Sequence, residues 1–154
     1  MTVTLRPVCP DDEEFLYQLF SQTMGGDLVG LDPTQRNAIL RMQFMAQHHT
    51  YLAEFPRADH QIIMLHDRVI GRVLVERTET EHRGVDIALL PEFRSGGIGT
   101  TIVQALLDEA AAAGKPFRIS VVRTNPAVHL YERLGFKTVG ENLTHFMMEW
   151  LAQR

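Results

Sequence analysis

Four segments of the chain carry apolar residues at the three- and four-residue spacing of an amphipathic helix. These segments begin near Pro10, Asp32, Ile98 and Asn125. The first two open on a proline beside an acidic residue, and the last two end at glycine. Proline at the start of a helix and glycine just past its end are the usual asymmetry, so the pattern predicts four helices.

Shorter apolar or alternating runs predict strands at 3–5, 61–66, 69–78, 85–90, 117–122, 136–139 and 144–150. The turn Asp67–Arg68 joins two of them into a predicted hairpin. In chain order the elements are a strand, two helices, three strands, a helix, a strand, a helix and two strands. Antiparallel strands therefore precede a βαβ unit, which predicts an α/β fold of α+β type, with a mixed central sheet of six to seven strands flanked by about four helices.

Composition limits the classes of protein that the chain can belong to. Its 154 residues are 45% hydrophobic and 22% charged, which predicts one domain over residues 1–154. The net charge of −4 argues against nucleic-acid binding. No long apolar run or secretory leader is present, and Cys9 is the single cysteine, so we expect a cytoplasmic protein without membrane contact. The histidines show no metal-binding spacing, and we expect no metal.

The stretch PEFRSGGIG follows the predicted strand 85–90 and opens the third helix. The first backbone N–H groups of a helix lack internal partners, and glycine lets the backbone approach a phosphate closely. A tight turn needs glycines for geometry alone, so the cluster by itself fits both interpretations. The dinucleotide fingerprint fails at Ile102, and the P-loop fails because Thr100 rather than lysine follows Gly99.

Two motifs together carry a family resemblance. R-x-x-G-x-G spans Arg94–Gly99, and NPAVHLYERLGF follows at 125–136. This pair, in this order, resembles the GCN5-related N-acetyltransferases, the GNAT superfamily. The resemblance implies a GNAT acyl-CoA N-acyltransferase fold and the transfer of an acetyl group from acetyl-CoA to a primary amine.

The resemblance also implies where the cofactor binds. The pyrophosphate would lie on the loop, and the pantetheine arm would follow the preceding strand. The implied cofactor-binding residues are Ile87, Ala88, Leu89, Arg94, Ser95, Gly96, Gly97, Ile98, Gly99, Thr100, Asn125 and Tyr131. The amide of Leu89 would stabilise the oxyanion. Asn before proline is also an ordinary helix cap, so Asn125 has two interpretations. Serine tolerates most loop conformations other than positive φ, so Ser95 is expected to fit here.

Tyr131 and Asp86 are the catalytic candidates. In the family, a tyrosine at the position of Tyr131 donates a proton to the leaving thiolate, although a core aromatic residue would fit the same pattern. Asp86 lies on the cofactor strand and is the candidate base, with Glu76 and His82 as alternatives. A solvated or ion-paired surface role fits each of these carboxylates as well.

The sequence does not identify the amine acceptor, and it does not show whether longer acyl-CoAs are used. The family builds the acceptor wall from the first two helices and their connection, here near 24–32 and 35–51, where Met42 and Met45 are expected in the core. Phe146 and Met148 in the last strand are candidates for a homodimer contact, although an apolar strand is first of all a member of the sheet. Two other functions remain open: a non-catalytic acyl-CoA sensor of the same fold, and another nucleotide-dependent enzyme with a glycine loop.

Overall fold

The computed structural model describes residues 2–24, with the backbone alone at Met24, and residues 30–152. Within these residues, seven strands and four α-helices follow one another in the predicted order. The strands are β1 Val3–Pro7, β2 Asp59–Leu65, β3 Arg68–Arg77, β4 His82–Leu89, β5 Phe117–Val122, β6 Lys137–Glu141 and β7 His145–Trp150. The helices are α1 Glu13–Met24, α2 Pro33–Glu54, α3 Ile98–Ala113 and α4 Ala127–Arg133. The predicted loop at Gly25–Gly26 lies outside the described residues.

The strands form one mixed sheet in the order β1-β2-β3-β4-β5-β7-β6. The pairs β1–β2, β5–β7 and β6–β7 are antiparallel, whereas β4–β5 is parallel. The predicted fold class is thereby confirmed. Because β7 is paired on both edges and Met148 is only 1% exposed, Met148 is a core residue of the sheet, as an apolar strand favours, and it does not offer a dimer contact.

The chain divides into two compact units, and β3 and β4 contribute residues to both. The first unit comprises residues 1–74 and 87–94. Its core holds Leu16, Tyr17, Leu40, Phe44 and Ile62. The rings of Tyr17 and Phe44 meet edge-on at 5.8 Å, so α1 and α2 pack through their aromatic residues. As predicted, Asp32 caps α2 by accepting a hydrogen bond from the amide of Gln35 at 2.9 Å.

The second unit comprises residues 75–86 and 95–154. The buried face of α3 is made by Ile98, Ile102, Val103, Leu106, Leu107 and Ala110. Gly114 closes this helix at φ 69°, as its sequence position predicts. The ring of Phe136 contacts both Tyr131, at 5.3 Å, and Phe117, at 6.1 Å, so α4 packs on the β5 face that carries Phe117. Among the described helices, none combines the length and the apolar character needed to span a bilayer.

Candidate active site

The loop between β4 and α3 alternates the handedness of its backbone. Ser95 has φ 65° and Gly97 has φ 89°, while Gly96 between them lies outside the left-handed region. Alternation of this kind turns successive N–H groups towards one concavity, which suits an anion. Ser95 adopts the positive φ that serine tolerates least, so its side chain is held where glycine or asparagine is usual.

The start of α3 adds further N–H donors to the same concavity. Gly97 occupies the cap position and has no side chain to cap the helix, and the first helical hydrogen bond runs from the Thr101 amide to the Gly97 carbonyl at 3.0 Å. The amides of Ile98, Gly99 and Thr100 therefore have no acceptor within the helix. The loop and this first turn together present a row of donors with the positive end of the helix dipole behind them.

Glycines in this chain serve two different purposes. A Cβ on Gly71 would collide with the carbonyl oxygen of Ala88, so β3 needs glycine for its own packing. A Cβ on Gly96 or Gly97 would meet nothing within 4 Å. Contacts among the described residues therefore do not explain why these two positions lack side chains, and the space above them is open to a ligand.

The positive φ of Ser95 leads to a prediction about the stability of the fold. We expect Ser95→Gly to raise the free energy of unfolding by about 0.5–1 kcal/mol and Ser95→Val to lower it by about 1–2 kcal/mol, because branched side chains tolerate positive φ least. Urea denaturation measures both changes. Ser120→Val, at an exposed position in β5, is the control and should change stability by less than about 0.5 kcal/mol. Equal stability of the Ser95→Gly and Ser95→Val variants would contradict the assigned backbone.

Arg94 is tied to the end of β4. Its Nε donates to the Leu89 carbonyl at 3.1 Å, and its Nη2 donates to the Thr23 hydroxyl at 3.4 Å. The amide of Leu90 in turn donates to the Ile70 carbonyl at 2.8 Å. The guanidinium thus fixes the strand end that carries Leu89.

The strand β4 continues beyond its parallel ladder with β5. That ladder pairs His82, Arg83 and Gly84 with Phe117, Arg118 and Ile119. The strand runs on through Asp86 to Leu89, and Ile87, Ala88 and Leu89 are half-buried. The backbone groups beyond Gly84 therefore lie outside this ladder.

Tyr131 and Asp86, both in the second unit, interact electrostatically. Burial, and secondarily the negative charge of Asp86, raise the pKa of Tyr131 to about 12. The phenol is 9% exposed and lies against the ring of Phe136. Strand alternation puts Asp86 on the same face of β4 as Gly84, where an added Cβ would lie 3.0 Å from the side chains of Phe117 and Ile119. The two predicted catalytic residues are therefore close enough for the charge of Asp86 to act on the Tyr131 phenol, and their catalytic roles stay a prediction.

Asn125 caps α4. Its Oδ1 accepts a hydrogen bond from the Ala127 amide at 2.9 Å, and its backbone carbonyl accepts one from the Val128 amide at 3.1 Å. The structural interpretation of this residue is thus confirmed. This hydrogen bond uses the carbonyl oxygen of the side chain and does not require its NH₂ group.

The alternative bases differ from Asp86 in their surroundings. His82 is buried beside Glu109, at 3.8 Å from its carboxylate, and burial lowers the pKa of the imidazole. It lies four residues before Asp86 on the same strand, about 13 Å away. Glu76 is half-buried on β3. Among the described residues no group of three metal-ligating side chains converges.

Several residues of the predicted acceptor wall have structural partners instead. Arg41 donates to Glu14 at 2.9 Å and stacks on the ring of Tyr17. The expectation that Met42 and Met45 belong to the core is wrong, since they are 74% and 41% exposed. Asp27 lies outside the described residues.

A cavity of about 380 Å³ lies in the first unit, at the end of the sheet where β1 ends and β2 begins. Its walls are made by Val8, Cys9, Pro10, Glu13, Leu16, Phe44, Met45, His48 and His60. None of the predicted site residues lines it. Leu89 lies at the opposite end of the strands, because Leu90 pairs with the start of β3.

Arg72 is a buried charged residue that the sequence pattern does not mark as important. This residue is 7% exposed in β3, donates to Gln47 Oε1 at 3.0 Å and faces the ring of Tyr51. Its signal is a charged residue within the otherwise uncharged run VIGRVLV. A buried guanidinium held by two residues of α2 fixes that helix against β3.

Comparison with known proteins places the chain in a family. A family model described as an acetyltransferase (GNAT) domain matches residues 47–138, which is more than half of the chain. The N-alpha-acetyltransferase of Sulfurisphaera tokodaii is 40% identical over 58 residues, covering 36% of this chain and 35% of that protein. The chain thus spans about a third of the length of this curated relative.

Solved structures extend the likeness to nearly the whole chain. The PaiA N-acetyltransferase of Thermoplasma acidophilum, solved with coenzyme A, matches with a TM-score of 0.73 and 17% identity over 99% of this chain and 100% of that one. An acetyltransferase of Thermus thermophilus matches with a TM-score of 0.69 and 20% identity over 99% and 98%. At these identities the likeness concerns the fold. Together with the family match, it shows that the chain belongs to the GNAT family of acetyltransferases.

Proposed function

We propose that this protein transfers the acetyl group of acetyl-CoA to a primary amine by direct attack of the amine on the thioester. The observation that carries the proposal is the row of amide donors at the β4–α3 loop, where the described residues place nothing within 4 Å of a Cβ added to Gly96 or Gly97. A phosphate-bearing cofactor suits these donors, and the GNAT family supplies the reason for choosing an acyl-CoA. The matched PaiA structure contains coenzyme A, which supports the same choice.

In this proposal each predicted residue has a role. The pyrophosphate accepts hydrogen bonds from the amides of Arg94–Gly99, with the hydroxyl of Thr100 as a further donor. The pantetheine arm pairs with the backbone of Ile87, Ala88 and Leu89, as an added strand would. The side-chain NH₂ of Asn125 donates to the same arm, while its Oδ1 keeps the cap of α4.

The chemical step requires a neutral amine. An amine with a pKa near 10.4 costs about 4.6 kcal/mol to deprotonate at pH 7, and we propose that the Asp86 carboxylate accepts its proton, directly or through water. The amine nitrogen then bonds to the thioester carbon, and the amide of Leu89 stabilises the oxyanion. When the intermediate collapses, the C–S bond breaks and the sulfur leaves with the electron pair. The nitrogen, positively charged after the attack, loses its second proton to water, which leaves the neutral amide.

Tyr131 is proposed to donate its proton to the departing sulfur. With a pKa of about 12 the phenol stays protonated at neutral pH, so it always carries the proton that it is proposed to donate. Transfer to a thiolate whose conjugate acid has a pKa near 8.5 is uphill by about 5 kcal/mol while Asp86 is charged. Burial is the larger cause of the raised pKa of Tyr131. Once Asp86 has taken the proton of the amine, the smaller cause, its negative charge, is gone, and the proton transfer is less uphill.

The acceptor we propose to test first is the free N-terminus of a polypeptide, since the curated relative is an N-alpha-acetyltransferase. Purified protein should bind acetyl-CoA with a micromolar Kd by calorimetry and release CoA in the presence of an acceptor. The acceptor panel comprises a peptide with a free N-terminus, the same peptide blocked at its N-terminus but carrying a lysine, and a small alkyl amine. Absence of acetyl-CoA binding at millimolar ligand would overturn the proposed function.

Binding without CoA release for any amine would favour the non-catalytic acyl-CoA sensor. Displacement of acetyl-CoA by ATP or NAD would favour a different nucleotide-dependent enzyme. Peptide, lysine and alkyl amine are compared by kcat/KM, because that ratio measures discrimination between acceptors.

A further inference from the structure

The cavity in the first unit combines buried apolar walls with exposed polar ones. Leu16 and Phe44 are buried, whereas Cys9, Glu13 and His48 are exposed. Its volume of about 380 Å³ would hold roughly a dozen waters at about 30 Å³ each, so a ligand of about ten non-hydrogen atoms fits. A cavity of this size with mainly apolar walls and a few polar groups is the usual form of a small-molecule site.

Hydrogen bonds hold one wall of the cavity in place. The Val8 amide donates to the His60 carbonyl at 3.1 Å, which joins the segment after β1 to the start of β2. The Cys9 amide donates to Asp12 Oδ2 at 2.9 Å, and the Asp12 amide donates to the Cys9 carbonyl at 3.0 Å. Because the fold already orders this wall, a ligand does not have to organise it on binding.

The charge of the cavity comes from Glu13. It is the one carboxylate among the described residues that line the cavity, and none of these is a lysine or an arginine. Arg6 donates to Asp12 at 2.7 and 2.8 Å, and Arg41 donates to Glu14 at 2.9 Å, so both arginines are bound to other carboxylates. Glu13 forms no salt bridge with any residue that the structure describes.

We propose that this cavity is a second ligand site, which binds a small organic cation that carries an apolar chain or ring. The cationic group lies beside the Glu13 carboxylate, and the apolar part packs against Leu16 and Phe44, whose ring also attracts cations. At about pH 8 ordinary imidazoles are uncharged, so His48 and His60 add polar surface without opposing the cation. The proposal does not depend on acetyl transfer, since no residue proposed for that reaction lines the cavity.

Cys9 makes the occupancy of the cavity measurable. It is the single cysteine of the chain, it is exposed, and it lines the cavity, so a bound ligand shields its thiol from iodoacetamide. The probes are hexyltrimethylammonium, hexanol and hexanoate, which share one alkyl chain and differ in the charge of the head group. The quaternary ammonium has no N–H group and therefore cannot be acetylated. Mass spectrometry at about pH 8 follows the alkylation of the wild-type protein.

Hexyltrimethylammonium should slow the alkylation of Cys9 at least about threefold, with half-maximal protection at about 0.1–1 mM. Hexanol should protect more weakly, and hexanoate least. Equal protection by hexanoate and the ammonium would overturn the proposal, and so would the absence of protection by the ammonium at about 10 mM. Protection by acetyl-CoA alone would overturn it as well, because the cavity would then belong to the cofactor site.

Glu13→Gln tests the group that is proposed to select the cation. It should raise the ammonium concentration for half-maximal protection about three- to tenfold and leave the value for hexanol within about twofold. Asp11→Asn is the matched control, because it removes a negative charge from a nearby exposed residue that is not among those lining the cavity. It should change the ammonium value less than about twofold. Equal effects of the two substitutions would contradict the assigned role of Glu13 and with it the proposal.

Discussion

Replacement of Tyr131 by phenylalanine is expected to lower kcat roughly 10²–10⁴-fold, the usual contribution of a positioned acid, while the Kd for acetyl-CoA changes less than about twofold. Phenylalanine keeps the edge-on contact with Phe136 and the apolar surroundings of the ring. Only the hydroxyl is lost. Because that hydroxyl acts on the departing sulfur, its loss should appear in turnover and not in cofactor binding.

Tyr17→Phe is the matched control for this experiment. Tyr17 is 5% exposed, and its hydroxyl donates only a long hydrogen bond of 3.4 Å to the Asn37 carbonyl, so it is a second buried tyrosine without a proposed chemical role. Single-turnover rates and calorimetric Kd values for the three proteins decide the matter. Unchanged turnover in Tyr131→Phe would remove the acid role and leave Tyr131 as the core aromatic residue that its neighbours also allow.

The sequence predicts most of the fold because its helix starts and stops are unambiguous. Asp32 and Pro33 open α2, Gly114 closes α3, and apolar periodicity defines the face of α3 that is buried. The exposure of Met42 and Met45 is not predicted, because periodicity identifies an apolar residue but not the element that covers it. The positive φ of Ser95 is missed for a related reason, since serine carries no preference that distinguishes this backbone from an ordinary turn.

The predicted site depends on the distances between residues that lie far apart in the chain, and the sequence does not give these distances. Strand alternation places Asp86 on one face of β4, and helical spacing allows Tyr131 to face either cofactor or core. Only the structure shows that burial, and secondarily the charge of Asp86, raises the pKa of the Tyr131 phenol. Arg72 was beyond prediction because its partners, Gln47 and Tyr51, come from a distant segment of the chain.

The second large prediction concerns the binding of acetyl-CoA at the glycine loop, and Gly96 is the position that tests it. Gly97 has φ 89°, so a side chain there costs about 1–2 kcal/mol in backbone strain, and a binding defect would be confounded with misfolding. Gly96 has neither a positive φ nor a neighbour within 4 Å of an added Cβ. A side chain added at Gly96 should therefore hinder the approach of a ligand while leaving folding nearly unchanged.

Gly96→Val is expected to raise the Kd for acetyl-CoA about 100-fold, equivalent to about 2.7 kcal/mol or one to two hydrogen bonds to a charged group, and Gly96→Ala should fall between it and wild type. Both variants should unfold within about 1 kcal/mol of wild type in urea. Gly140→Ala, where the new methyl group meets Met147 at an ordinary 3.7 Å, is the control and should bind normally. Calorimetry with acetyl-CoA and with CoA measures all four proteins. If Gly96→Val binds as tightly as wild type, the pyrophosphate does not lie on these amides, and the glycines of this loop serve the turn alone.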